Sequence, residues 1–268
     1  MKISNVGIVG YGSIGKKHYK IIKSINKNIK VYFIRVKNKI KITDKKIHQI
    51  KIKEISKVKF DCVLICTPAN THLELANIFI KKDIPTFIEK PLTNKYSQIK
   101  KFNNLIKYIN DKKIIINVGY VLKHGNSYKK FKEIINNNNF GNILDVYSNC
   151  NSNLIDWRGS ISKSTVSTDK KLGGGVINEL SHEIDYINDL FGKIKSVYAN
   201  INKNRLFKIN SEESADIIMI NNKKIPINLH LDFNSLTSQR FCNVRFEKGN
   251  IKWDVKKNKI TISKNKSK

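Results

Sequence analysis

Over the first 120 residues, short apolar runs alternate with stretches of helical period. Val6–Val9 is a short apolar strand, and Ile14, His18, Ile21, Ile22 and Ile25 then recur at the spacing of one helix face. Lys30–Val36 is rich in β-branched and aromatic residues. Phe60–Cys66 is a continuous apolar run, as a parallel strand covered on both faces requires. Leu73, Ala76, Phe79 and Ile80 mark a second helix, and Thr86–Ile88 a short strand. Ile99, Phe102, Leu105, Ile106 and Ile109 mark a third helix, and Ile114–Val118 a further strand. This alternation predicts an α/β fold: a Rossmann, doubly wound parallel sheet with helices on both faces.

After Gly119 the period changes. Tyr128–Ile135 reads as a helix and Ile143–Ser148 as a strand. Residues 151–172 are polar and aperiodic, and read as a long loop of the kind usually kept for function. Ile177, Leu180, Ile184, Ile187 and Phe191 form one regular helical stripe. In the last third the period is two: Ile227, Leu229, Leu231 and Phe233 alternate with polar residues, as do Cys242, Val244 and Phe246, then Ile251, Trp253 and Val255, then Ile260 and Ile262. Asn221-Asn222 and Lys248-Gly249-Asn250 read as hairpin turns. The expected second domain is therefore α+β, with an open antiparallel meander that has one buried and one polar face. The boundaries expected are 1–120 and 121–268, and the closing Lys-rich residues are expected to fray.

Between the first strand and the first helix stands Gly10-Tyr11-Gly12-Ser13-Ile14-Gly15, a GxGxxG in the strand-to-helix context that a dinucleotide fingerprint needs. Gly10 suits a tight turn, Gly12 lets the backbone approach a pyrophosphate, and Gly15 lets helix and strand pack closely. The free N–H groups from Ser13 and Ile14 onward would face the phosphates. The same stretch approaches a phosphate-loop pattern, Gly10-x4-Gly15-Lys16. Lys17 stands where that pattern needs a hydroxyl for Mg²⁺, so kinase or ATPase chemistry is not expected. The second strand ends at Arg35, with Lys37 nearby and no carboxylate. A carboxylate there favours NAD and an arginine accommodates the 2′-phosphate of NADP, so the cofactor is NADP or NAD with the residue type leaning to NADP.

Four further features follow in order: Thr67-Pro68-Ala69-Asn70-Thr71-His72, Glu89-Lys90-Pro91, Asp156-Trp157-Arg158, and Gly173-Gly174-Gly175-Val176-Ile177-Asn178-Glu179-Leu180-Ser181-His182-Glu183-Ile184-Asp185. With the glycine fingerprint, these make the chain resemble the glucose–fructose oxidoreductase/inositol dehydrogenase (Gfo/Idh/MocA) family over nearly its whole length, closest in look to members from surface-sugar biosynthesis. The resemblance implies transfer of a hydride between a nicotinamide and a sugar or polyol carbon, a CH–OH dehydrogenase or reductase. By it, Lys90 and His182 are the catalytic residues, with Glu179 orienting. Thr67, Pro68, His72, Glu89 and Lys90 join Gly10, Gly12, Ser13, Ile14, Gly15 and Arg35 at the cofactor. Lys90, Tyr120, Lys123, Trp157, Arg158, His182 and Asp185 meet the substrate. Pro91 fixes its turn, in the family often through a cis bond. The second domain would bind substrate and join copies into a homodimer or homotetramer.

The residues on their own fit that chemistry. Oxidising an alcohol needs a base within hydrogen-bond reach of the hydroxyl, and a neighbouring ammonium stabilises the developing oxyanion. Glu179 and His182, three apart, would share one face of a helix, away from the Ile177/Leu180/Ile184/Ile187 stripe. Against the family pattern, Glu179 stands where Asp is usual, and Val121 and Lys123 stand where Asn and Arg often reach the substrate. The chain also ends soon after Ile251–Ile262, where members continue into a further helix, so the second domain reads as shortened.

Composition narrows the alternatives. The net charge of +30 raises nucleic acid as a partner. Yet the charge is nearly all lysine spread along the chain, with arginine only at Arg35, Arg158, Arg205, Arg240 and Arg245, and a local Arg/aromatic cluster is missing. No specific nucleic-acid partner is expected. No apolar run reaches about 18 residues, so no membrane span is expected, and without a secretory pattern the expected location is cytoplasmic. Cys62, Cys66, Cys150 and Cys242 form no CxxC pair and no zinc spacing, so no metal is expected and the cysteines read as small buried hydrophobes. The reading is an NAD(P)-dependent oxidoreductase on a sugar-like substrate. A catalytically impaired dinucleotide- or sugar-binding member is the first alternative, and a charge-driven nucleic-acid binder the second.

Overall fold

The computed structural model describes residues 3–36, 47–158, 165–203 and 206–264. Lys37, the middle of the expected 151–172 loop, Arg205 and the closing lysines of the chain lie outside the described residues. The chain divides into two compact units, Met1–Gly119 and Tyr120–Lys268.

Unit 1 runs β1 (Asn5–Val9), α1 (Ser13–Ile25), β2 (Lys30–Arg35), β3 (His48–Lys51), β4 (Cys62–Ile65), α2 (His72–Ile80), β5 (Thr86–Ile88), α3 (Tyr96–Lys112) and β6 (Ile116–Val118). The strands lie in the order β3-β2-β1-β4-β5-β6, all parallel. The alternation along β1 explains why both faces are covered. Val6 and Ile8 pack with Val31 and Phe33 on one side, and Val9 packs with Ile34, Val63, Ile65, Phe79 and Ile80 on the other. Strand order reverses at β1, between β2 and β4, which makes the carboxyl ends of β1 and β4 the crevice where doubly wound sheets take ligands. The edge strand β3 is not evident in the periodicity, because His48-Gln49-Ile50-Lys51 has a single apolar residue.

Unit 2 contains α4 (Asn126–Asn136), β7 (Ile143–Asn153), α5 (Leu154–Arg158), α6 (Val176–Glu179), α7 (His182–Phe191), β8 (Ile194–Asn202), β9 (Ser214–Asn221), β10 (Pro226–Asp232), β11 (Asn234–Phe246), β12 (Gly249–Asp254) and β13 (Lys259–Lys264). Its seven-stranded sheet has the order β13-β12-β11-β7-β10-β9-β8. Apolar residues from one sheet face, among them Val146, Leu229, Leu231, Val244 and Ile251, pack with Tyr128, Phe131, Tyr186 and Ile187 from the helices. Trp253 is buried among Tyr128, Phe131 and Tyr186, and its indole N–H donates to Ser127 Oγ at 3.1 Å.

Four expectations are corrected here. The sheet is mixed: β7 inserts between β10 and β11, parallel to the first and antiparallel to the second, so the meander is interrupted. The 151–172 segment is more ordered than a loop, holding the end of β7, α5, and short 3-10 turns at Val166–Thr168 and Lys170–Leu172. The expected single helix from Ile177 to Phe191 is two, α6 and α7, broken at Leu180-Ser181. The open sheet face is also not purely polar. Register places Tyr198, Ile218, Asn228, Tyr147 and Asn243 in one cross-strand row, and Tyr198 is 70% exposed. Among the described residues no helix is long and apolar enough to cross a membrane.

Candidate active site

The glycine fingerprint occupies the turn from β1 into α1. Gly10 has φ +106, and a Cβ there would lie 2.6 Å from the Cys66 carbonyl oxygen, so only glycine makes this turn without strain. A Cβ on Gly15 would sit 2.1 Å from Gly10 O, so the helix rests directly on the turn. Gly12 is different: a Cβ would meet nothing within 4 Å. It is the N-cap of α1, in extended conformation and with no side-chain cap. The first N–H groups of the helix, from Ser13 onward, thus open onto free space with the positive end of the helix dipole behind them. Open space at Gly12, set against tight space at Gly10 and Gly15, fits a linked pair of phosphates.

The other strand ends converge on the same edge. Ladder hydrogen bonds continue one residue beyond the strands, from Cys66 N to Val9 O (2.8 Å), Glu89 N to Ile65 O (3.0 Å) and Gly119 N to Ile88 O (2.8 Å). Thr67, Lys90 and Tyr120 therefore each follow a residue held in register. Arg35 closes β2, half-buried. Its Nε is buried and makes no hydrogen bond among the described residues. Thr67 Oγ1 accepts from Thr71 Oγ1 at 2.8 Å, and Pro68 begins the short 3-10 turn that leads into α2.

The Glu89 and His72 side chains are both held by protein groups. Glu89 Oε1 lies 2.6 Å from His18 Nε2 on α1, and its Oε2 accepts the Lys90 N–H at 3.3 Å. His72 is 1% exposed. Its Nδ1 lies 2.8 Å from Pro91 O and its Nε2 2.7 Å from Thr67 O. Burial pushes the His72 imidazole below its ordinary pKa, against the pull of those two carbonyls and of Glu89. The Lys90–Pro91 peptide is cis.

In unit 2, Glu179 ends α6 and accepts from Ser167 Oγ at 2.9 Å. His182 begins α7, and its ring meets the Tyr120 ring edge-on at 5.6 Å. The helix break means that Glu179 and His182 do not lie on one continuous helix face. Tyr120 is half-buried, and its phenol is pushed up by burial, with Ser181 pulling the other way. Lys123 Nζ donates to Asp185 Oδ1 at 3.0 Å, so two residues expected to meet substrate meet each other. Burial pushes the Asp185 carboxyl up, and Lys123 opposes that. Trp157 and Arg158 end α5.

Two features had no part in the sequence reading. By its spacing His18 belongs only to a helix stripe. The Glu183–Arg240 ion pair was not foreseen: Glu183 is fully buried, and Arg240 Nε donates to its Oε1 at 2.6 Å. A signal for Glu183 existed, since it follows Leu180 by three residues and precedes Ile187 by four, on the apolar side of the helix. His18 has none, because its partner lies 71 positions away.

A six-stranded parallel sheet with a glycine turn at its switch point defines a dinucleotide-binding Rossmann unit, here joined to a seven-stranded mixed sheet. Family comparison agrees with both parts. Residues 4–120 match the oxidoreductase family with NAD-binding Rossmann fold, and residues 128–252 match the GFO/IDH/MocA C-terminal domain. The chain belongs to the Gfo/Idh/MocA family.

Among curated relatives, an oxidoreductase of Formosa agariphila is 23% identical over 215 residues, 76% of this chain and 63% of its own length. The myo-inositol 2-dehydrogenase of Thermotoga maritima is 27% identical over 142 residues, 51% of this chain and 42% of its own. The chain thus spans less than two thirds of either relative. Among solved structures, the WlbA dehydrogenase of Chromobacterium violaceum, in complex with NADH and UDP-GlcNAcA, superposes with a TM-score of 0.83 at 15% identity, covering 100% of this chain and 79% of the other. The scyllo-inositol dehydrogenase of Lactobacillus casei, with NAD(H) and scyllo-inositol, superposes at 0.77 and 19% identity, covering 94% and 76%. At these identities the structural likeness speaks for the fold.

Proposed function

We propose that this chain is a nicotinamide-dependent oxidoreductase that moves a hydride between NADP or NAD and a hydroxyl or carbonyl carbon of a sugar, sugar derivative or polyol. The observation that carries the reading is the open space at Gly12 over an uncapped helix N-terminus, with the carboxyl ends of β4 and β5 delivering Thr67 and Lys90 to the same sheet edge. A bound nicotinamide would supply or accept the hydride. Lys90 would donate a hydrogen bond to the reacting oxygen and stabilise its developing negative charge. His182 would take up or return the hydroxyl proton, its ring oriented by the edge contact with Tyr120. Glu179, held by Ser167, would orient the residues before His182, and the Lys123–Asp185 pair would hydrogen-bond substrate hydroxyls. Trp157 and Arg158 would contribute to the substrate side from α5. Two relatives named as inositol dehydrogenases, and a dehydrogenase of the same fold in complex with UDP-GlcNAcA, support this substrate class.

Gly12→Val tests the phosphate site. The extended backbone of Gly12 accepts valine, and no protein atom stands in the way, so the fold should survive at the cost of a poor N-cap, about 1 kcal/mol. Dinucleotide affinity should fall about ten- to hundredfold, since charged hydrogen bonds worth about 1.5–3 kcal/mol each are lost. Calorimetric titration with NADPH and NADH beside a thermal melt reads both. Unchanged affinity would remove the turn from the cofactor site.

NADP is the proposed dinucleotide because β2 closes on Arg35 with no carboxylate following it in the sequence up to Asp44. Arg35→Glu should move the ratio of NADP to NAD affinity at least about tenfold toward NAD, by removing a phosphate partner and supplying an acceptor for the ribose hydroxyls. Equal ratios in the two proteins would assign the preference elsewhere.

A further inference from the structure

We infer that His18 and His72 are positioning residues for Lys90, each fixing the residue on one side of it through a different helix. His18 comes from α1 and acts on Glu89: its Nε2 stands 2.6 Å from Glu89 Oε1. The other oxygen of that carboxylate accepts the Lys90 N–H at 3.3 Å, so the histidine reaches the lysine backbone through one side chain. His72 comes from the first residue of α2, and its buried ring lies between Pro91 O at 2.8 Å and Thr67 O at 2.7 Å; burial favours the neutral ring, whose single N–H donates to one of these carbonyls. The Glu89 N–H is tied to Ile65 O at 3.0 Å. Lys90 is therefore bracketed: the preceding residue is held by β4 and α1, and the following one by α2.

This arrangement matters because a lysine ammonium rides on a flexible four-carbon stem. Its reach is reproducible only if its own Cα is fixed, and a misplacement of about 1 Å costs about a hundredfold in rate. Burial and the two flanking carbonyls leave neither nitrogen of the His72 ring open to a ligand. The histidine of the Thr67–His72 motif therefore serves the cofactor site by joining its two loops. Glycine at 119 keeps the space beside this carboxylate clear: a Cβ there would lie 3.2 Å from Glu89 Oε2 and 2.9 Å from the Phe87 ring.

The catalytic meaning of this clamp rests on the reading of Lys90 as the residue that stabilises the reacting oxygen, and the test separates the two. His18→Ala and His18→Gln are compared in the full chain with NADPH or NADH bound. Hydrogen exchange is followed by mass spectrometry over the peptide that contains Lys90, and turnover by nicotinamide absorbance with a panel of inositols, sugars and sugar nucleotides. His18→Ala should speed exchange at the Lys90 amide about tenfold and lower kcat about tenfold, with KM for the dinucleotide changed less than about twofold. His18→Gln keeps an N–H for the carboxylate and should restore both. Exchange in His18→Ala equal to the native rate would overturn the clamp. So would equal acceleration in both variants, because the hydrogen bond would then not be what holds the turn. If the native protein turns over none of the panel, the redox reading falls, and the exchange data still decide the clamp.

Discussion

Replacing Lys90 with alanine is expected to lower kcat by about 10²–10³ while leaving dinucleotide affinity within about twofold, the scale seen when one donor to a developing oxyanion is removed. The split follows from geometry. The proposed phosphate site is the Gly10–Gly15 turn and the start of α1, a separate stretch of chain from the Glu89-Lys90-Pro91 turn. Lys90 stands on a turn whose backbone is fixed by Glu89 and Pro91, so removing its side chain leaves the turn in place. Lys90→Arg keeps the charge but replaces a compact ammonium with a planar fork, and should recover only part of the rate. Steady-state kinetics with whichever sugar or polyol the native protein oxidises, beside a fluorescence titration of NADPH, gives both numbers. Native kcat in Lys90→Ala would remove the residue from the mechanism.

Replacing Arg240 with alanine is expected to destabilise the protein by about 3–5 kcal/mol, since it strands a buried carboxylate without its partner. Glu183 has no solvent exposure, and burial pushes its carboxyl up while Arg240 pulls it down. With the arginine gone the upward push of burial is opposed only by a backbone N–H and the Cys150 thiol, the smaller of the pulls on this carboxyl. A carboxyl whose folded pKa stands above its unfolded value favours folding when protonated, so the variant's deficit should be small below the ordinary carboxylate range and grow as pH rises. Urea unfolding at pH 5 and pH 8 should show the larger loss at pH 8. The double replacement Glu183→Leu with Arg240→Met should recover most of the stability, because well-packed apolar residues can replace a buried pair at little cost. A loss that is the same at both pH values would mean that packing, and not the stranded charge, sets the effect.

Both sites bear on how far the fold is legible in the sequence. The Gly10–Gly15 turn and the Glu89-Lys90-Pro91 turn were visible because local chemistry carries them: a strand, a turn that needs glycine, and a helix are neighbours in the chain. Strands β1, β2, β4 and β5 of unit 1 were visible because burial on both faces writes itself as apolar runs. β3 was hidden, since an edge strand can be polar and pair through its backbone alone. β7 was seen only as far as Ser148. Its second half, Asn149 to Asn153, is polar yet partly buried at the middle of the sheet. Ser148 bonds the Tyr186 hydroxyl at 2.6 Å, and the Asn151 side chain accepts the Gln239 N–H at 2.7 Å. Such partners lie 38 and 88 positions away, beyond any periodicity. The break at Leu180-Ser181 was masked because its apolar stripe continues through it. Within the candidate site, motif residues were legible, and what holds them was not: His18, Ser167 and Arg240 became visible only when the chain was folded.

The place of β7 has a bearing on how unit 2 is assembled. It is made early in the unit, but its neighbours β10 and β11 begin only at Pro226 and Asn234. During synthesis its two hydrogen-bonding edges stay bare until some 80 later residues have emerged, and closing that span carries an entropic cost that local βα pieces do not face. Completion of this sheet is thus tied to the arrival of β10 and β11, and a central strand with both edges unpaired is the form in which the nascent polypeptide must wait.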